Sequence, residues 1–217
     1  RYRKFDDGEV RLAWVMIVFR FDMKAKTIPE RFDDSVEILD DCDRIIFPGV
    51  GSAGMAMSEL QKRDLIDWTR NCAKPFLGIC LGMQLLFDSS EEGNVDCLGI
   101  ISGKVLKFDQ KKCSKIPHMG WNLVRECSEE NVLMRKCVDV LMNEYFYFVH
   151  SYFVPVGEFT TGICRYENQE FSAMVRKGNF WGMQFHPEKS GEEGECLLLN
   201  FLNTPSISAS KGEKNYE

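Results

Sequence analysis

A chain of 217 residues, 44% hydrophobic and 28% charged, has the apolar material for one α/β domain with a full core and is not the composition of a disordered or fibrous protein. Its net charge of −6 lacks the basic footprint of a nucleic-acid binder, and its most apolar early segment, Leu12 to Phe19, is too short to span a bilayer. The nine cysteines include no C-x-x-C pair, which argues against structural zinc; their odd number and the absence of a signal peptide predict reduced thiols in the cytoplasm.

Residues 1–30 read as a divergent or aberrant amino-terminal segment. Charged groups (Arg1-Tyr2-Arg3-Lys4, Asp6-Asp7) flank Ala13-Trp14-Val15-Met16-Ile17-Val18-Phe19, a candidate strand with no clear helix after it. From Val36 the pattern sharpens. Ile45-Ile46-Phe47 reads as a buried strand ending in the glycine-rich turn Pro48-Gly49-Val50-Gly51, and helices fit Met55 to Arg63 and Leu65 to Cys72. A strand over Phe76 to Ile79 and a helix over Met83 to Phe87 complete a strand-helix alternation, the mark of a parallel sheet. Further on, Val105–Phe108, Tyr145–Val149, Thr160–Cys164, Ser172–Val175 and Trp181–Phe185 read as strands, some antiparallel, before a last helix over Leu197 to Leu202. The polar stretch 203–217 has little to bury and reads as a disordered tail, which leaves 31–202 as the folded domain.

Gly78-Ile79-Cys80-Leu81-Gly82 places one thiol between two glycines, where a strand turns sharply into a helix. Such an elbow presents a side chain at its tip. The helix amides beyond it favour a thiolate and can hold an oxyanion, although a buried cysteine between glycines is also ordinary packing. A cysteine nucleophile needs a base, and only His118, His150 and His186 are available. His186 ends a predicted strand, is fixed by Pro187, and has Glu188 two positions on to orient its ring. It lies 106 residues from Cys80, a separation that a parallel sheet closes by gathering strand ends at one carboxyl edge. His118, in Ile116-Pro117-His118-Met119-Gly120-Trp121-Asn122, sits in a turn-like segment and reads as a surface or interface residue; His150 reads as a packed histidine or a wall of the site.

Five segments in collinear order resemble the class I glutamine amidotransferases, and among them the glutaminase subunits of imidazole glycerol phosphate synthases. They are Pro48-Gly49-Val50-Gly51, Leu77 to Gln84, Pro117 to Asn122, His150-Ser151-Tyr152 and Gly182 to Ser190. The resemblance implies a flavodoxin-like α/β fold with a mainly parallel central sheet, flanking helices and some antiparallel strands. It also implies a reaction: Cys80 attacks the side-chain amide of L-glutamine, His186 passes a proton to the departing ammonia, and Glu188 holds His186. The oxyanion would be held by the Leu81 amide and, after the 48–51 strand reorients, by an amide near Val50 or Gly51. Gly49, Gln84, Ser151 and Tyr152 would bind the substrate. No metal or cofactor is implied.

Ammonia protonates readily at neutral pH, and its cation is a poor nucleophile, so such a glutaminase works docked on an acceptor. The resemblance names that acceptor as a separate (β/α)₈-barrel cyclase subunit in histidine biosynthesis, faced by Met119, Trp121, Asn122 and Lys189. The family's usual opening, a strand followed by Asp-Tyr-Gly-x-Gly-Asn, is missing here, and only 32 residues separate Met16 from Pro48. A divergent start, a frame error and a truncation are the alternatives for residues 1–30. A paralogue that supplies ammonia for sugar amidation in surface polysaccharide synthesis, or a catalytically silent binding subunit, would carry similar motifs. A thiol hydrolase of similar fold would not require Gln84 or His-Pro-Glu.

Overall fold

The computed structural model describes residues 12–14, 36–49, 51–126, 133 and 145–204. The first elements are β1 (Leu12–Trp14), α1 (Val36–Asp41) and β2 (Arg44–Gly49). β1 runs parallel to β2 with Leu12 opposite Arg44, so the early strand begins at Leu12. The rest of the 1–30 segment, Val50 of the proposed oxyanion strand and residues 205–217 of the expected tail lie outside the described residues.

Helix α2 (Ala53–Lys62) starts at Ser52, whose hydroxyl accepts from the Met55 amide at 3.4 Å, and it buries the stripe Ala53, Ala56 and Leu60. Asp64, left-handed at φ 56°, breaks it from α3 (Leu65–Arg70). The unbroken apolar run of β3 (Phe76–Cys80) is buried at every position, as a central parallel strand covered on both faces must be. The helix after Cys80 is shorter than expected: α4 spans only Leu81–Gln84, and β4 (Phe87–Ser90) starts where the helix was predicted to continue. The carbonyls of Leu85, Leu86 and Phe87 are captured by the amides of Leu98, Ile100, Ile101 and Gly99 at 2.8–2.9 Å, which ends the helix and starts a second sheet. A short apolar run does not by itself distinguish these two outcomes.

The remaining strands are β5 (Val95–Asp96), β6 (Ile101–Lys107), β7 (His118–Glu126), β8 (Tyr145–His150), β9 (Tyr152–Phe153), β10 (Thr160–Tyr166), β11 (Gln169–Lys177) and β12 (Phe180–Met183). A 3-10 turn at Pro187–Lys189 leads into α5 (Gly191–Leu202). The large sheet runs β1-β2-β3-β12-β11-β10-β7-β8, and the small one β5-β4-β6-β9. β1, β2, β3 and β12 are mutually parallel, whereas every pairing from β12 outward to β8 is antiparallel. The fold is thus α/β with a mixed sheet. Its parallel half is extended by more antiparallel strand than the sequence pattern suggested.

Alternate residues of the parallel strands serve opposite faces. Ile46, Leu77 and Ile79 join one buried cluster with Phe146, Phe185 and Leu197, whereas Ile45, Phe47 and Phe76 join the other with Ala53, Ala56 and Leu60. One expectation about the thiols fails: Cys196 is disulfide-bonded, while Cys42, Cys72, Cys80, Cys97, Cys113 and Cys164 are free. Spacing along the chain carries no record of which thiols meet in space.

Candidate active site

Parallel register brings the site together. Gly49 at the end of β2 is opposite Cys80 at the end of β3, and Met183 of β12 is opposite Ile79, so Gln184 and the segment leading to His186 emerge beside the thiol. This is the carboxyl edge of the parallel strands, where open α/β sheets hold their ligands. Cys80 itself sits at φ 54°, ψ −111°, a region that costs a non-glycine residue of order 1–3 kcal/mol and that marks functional elbows. The flanking glycines are required by close approach. A Cβ on Gly78 would lie 2.6 Å from the Gly82 carbonyl oxygen, and one on Gly82 would overlap the Phe47 carbonyl. Gly49 packs on the elbow in the same way, with 2.7 Å left between a Cβ and the Gly82 amide nitrogen.

His186 and Glu188 reach the same point. The Nδ1–H of His186 donates to Glu188 Oε1 at 2.7 Å, which leaves Nε2 without a share in that bond, while the Cys80 thiol donates to the Val149 carbonyl at 3.9 Å. Both side chains are largely buried, and among the described residues Glu188 Oε2 has no hydrogen-bond partner. Burial alone would push the imidazole down. The hydrogen bonds to Cys80 and Glu188, with attraction to both, outweigh it and raise His186 to about 10. The ring is held through its backbone as well: its amide donates to the Tyr147 carbonyl at 2.9 Å, and its carbonyl accepts from the Ser190 hydroxyl at 2.6 Å. Such a unit can transfer a proton between a nucleophilic sulfur and a leaving group.

The other predicted residues surround the thiol unevenly. Gln84 is buried and donates from Nε2 to the Tyr152 carbonyl and to Gln184 Oε1, each at 2.9 Å. Ser151 joins β8 to β9, and its carbonyl accepts from the Phe108 amide. Leu81 heads α4, so its amide has no acceptor within the helix. Gly51 is exposed with φ 99°, a conformation that suits glycine. Met119 and Trp121 stand 63% and 55% exposed on one face of β7. Asn122 points to the other face, where its amide is engaged by His118 and the Arg165 carbonyl. Lys189 lies 5.8 Å from the centre of the Tyr147 ring.

The reading of His118 as a surface residue is overturned. It begins β7 directly opposite His150 of β8, is 2% exposed, and stacks between Phe148 and Tyr166 at ring separations of 4.8 and 4.1 Å. Burial lowers it to about 4, and burial with the neighbouring His118 lowers His150 to about 3, so both rings are neutral at pH 7. Gln184 was missed by sequence reasoning altogether. It is fully buried and directs Nε2 to the Cys80 sulfur at 3.8 Å. A lone amide inside the apolar run Trp181-Gly182-Met183-Gln184-Phe185 was the signal for it.

Among the described residues no group of three or more His, Cys, Asp or Glu side chains is placed to hold a metal ion, and no helix is long and apolar enough to cross a membrane. The family model for glutamine amidotransferase class-I matches residues 12–204. The imidazole glycerol phosphate synthase subunit HisH of Bacteroides fragilis is 47% identical over 167 residues, 76% of this chain and 82% of that relative. The subunit HisH of Idiomarina loihiensis is 44% identical over 179 residues, 80% of this chain and 87% of that one. Among solved structures, a glutamine amidotransferase from Thermotoga maritima shares the fold, with a TM-score of 0.56 at 16% identity over 91% of this chain and 84% of that one. The family match takes in the strained elbow, the charged imidazole and the carboxylate beside it, and these relatives are 44% and 47% identical to this sequence where they align: the chain belongs to the class I glutamine amidotransferases.

Proposed function

We propose that the chain is the glutaminase subunit of an imidazole glycerol phosphate synthase, with Cys80 as nucleophile, His186 as acid and base, and Glu188 as the group that orients and charges His186. The observation that carries this reading is the His186 ring, held through Nδ1 by a Glu188 carboxylate oxygen 2.7 Å away and raised by its neighbours Cys80 and Glu188. Cys80 attacks the amide carbon of glutamine, and the negative charge that forms on the amide oxygen meets the Leu81 amide and an amide near Val50 or Gly51. The carbon–nitrogen bond then breaks as His186 gives its proton to the nitrogen, releasing ammonia and leaving a γ-glutamyl thioester. Water, deprotonated by the now neutral His186, hydrolyses the thioester to glutamate, which frees the Cys80 sulfur and leaves His186 protonated again. Gly49, Gln84, Ser151 and Tyr152 form the walls that position the substrate.

Ammonia released here is useful only to an acceptor close by, and the relatives' names describe one component of a synthase. Met119, Trp121 and Tyr145 are three of the large apolar side chains exposed on the described surface, at 63%, 55% and 56%, and they cluster on the β7–β8 pair beside Tyr147 and Lys189. An exposed apolar patch of this kind marks an interaction surface. We assign it to docking of a (β/α)₈-barrel cyclase. The test is glutamine hydrolysis by the isolated chain and by the chain with the cyclase and its ligand. Stimulation by that pair, and loss of at least roughly 10³-fold activity in Cys80→Ala, are expected; a Cys80→Ala chain as active as the parent would refute the assignment.

A further inference from the structure

Two strings of hydrogen-bond donors meet at the Tyr152 carbonyl, which is beside the candidate site but outside the triad. On one side His150 Nδ1 lies 2.7 Å from that oxygen. A carbonyl only accepts, so Nδ1 carries the hydrogen and Nε2 of the neutral ring is bare. That bare nitrogen is 3.0 Å from His118 Nδ1, which must donate; His118 Nε2 is then the acceptor for the Asn122 amide at 3.2 Å. The orientation of Asn122 is fixed independently, because its Oδ1 accepts from the Leu123 amide at 2.8 Å and its Nδ2 donates to the Arg165 carbonyl at 3.0 Å. On the other side Gln84 Nε2 donates both to the Tyr152 carbonyl and to Gln184 Oε1, at 2.9 Å each, and Gln184 Nε2 is aimed at the Cys80 sulfur at 3.8 Å. Every link has one direction. A ring of the other tautomer, or a charged one, would set two hydrogens against each other.

Neither histidine touches the reacting atoms, and apolar rings could fill their places among Phe108, Phe148 and Phe171. Burying two imidazoles therefore costs free energy that packing does not require. We propose that His118 and His150 are positioning residues for the glutaminase reaction: they fix the Tyr152 carbonyl, which sets the Gln84 amide against the substrate and, through Gln184, the surroundings of the sulfur. The inference rests on the glutaminase reading of Cys80.

The experiment follows Cys80 labelling by a glutamine analogue with an electrophilic carbon in place of the side-chain amide carbon, by intact mass, with the chain alone and with the cyclase present. Iodoacetamide labelling reports access to the sulfur without substrate recognition. His118→Phe keeps the stacking on Phe148 and Tyr166 and removes both hydrogen bonds. It is expected to weaken apparent affinity for the analogue about tenfold, with the maximal labelling rate and the iodoacetamide rate within twofold of the parent. His118→Asn, whose Nδ2 can reach His150 Nε2, is expected to recover most of that affinity. Labelling of His118→Phe at the parent's affinity, or a His118→Asn variant no better than His118→Phe, overturns the proposal. A parent chain that iodoacetamide labels at Cys80 but the analogue does not would sink the glutaminase reading, and this inference with it.

Discussion

His186 owes its charge to two neighbours, and removing one should be measurable in two ways. Glu188→Gln keeps the shape of the side chain but replaces the carboxylate that holds the ring's Nδ1–H. A substitution of this kind at a triad orienter costs on the order of 10²–10⁴ in kcat, and the same loss is expected here with little change in KM, checked by steady-state glutamine hydrolysis. In the parent, nitrogen-15 spectra should show a His186 ring still protonated at pH 8, consistent with a value raised to about 10, and the midpoint should fall in Glu188→Gln. The proposed nucleophile and base could be picked out in the sequence because glycines around a thiol and a carboxylate two residues from a histidine are local signals. Gln184 was legible only as an anomaly, since its meaning depends on β12 lying in register beside β3.

The elements divide between those whose own residues specify them and those specified by neighbours. β3 was readable because a buried parallel strand is apolar throughout, and the tight packing of the elbow beneath it explains the glycines. Gly82→Ala should destabilise the fold by about 3 kcal/mol or more, because the methyl group would meet rigid backbone at Phe47. Gly178→Ala, with open space around it and φ 60°, should cost only about 1–2 kcal/mol; urea unfolding of both variants checks the contrast. β7 was not readable. Pro117, Gly120 and Asn122 are turn formers, and only pairing with β8 and β10 makes the segment a strand. The buried pair His118–His150 on these strands carries a pH signature. Both rings are depressed below the unfolded value near 6.5, to about 4 and about 3, so below pH 6.5 the unfolded chain binds protons that the native pair does not. Stability should fall by about 1.4 kcal/mol per pH unit for each ring as the pH drops from 6.5 toward 4, and His118→Phe should halve that slope. His186 has the opposite sign: its contribution is complete below pH 6.5 and is lost as the pH rises through about 10.

At the scale of the whole molecule, the proposed chemistry and the proposed docking face share the β8 region. Tyr147 of β8 accepts the His186 amide through its carbonyl, and its ring lies 6.1 Å from Trp121 and 5.8 Å from Lys189. Trp121→Ala is expected to weaken association with the cyclase by about 2 kcal/mol or more, measured by titration calorimetry, while the midpoint of thermal unfolding of the isolated chain moves little. The sequence could suggest an acceptor only by resemblance, because an exposed tryptophan on a strand face becomes visible as a surface once β7 and β8 are paired. The arrangement of β3 and β12 has a practical consequence. They are adjacent strands, yet the chain between them leaves to build the small sheet and the antiparallel strands before it returns. A cut at the exposed Gly93–Asn94 turn would leave Cys80 on one fragment and His186 with Glu188 on the other. Neither fragment could turn over glutamine, so ammonia production on mixing would count reassembled molecules and make the enzyme a split reporter of whatever partners are fused to its halves.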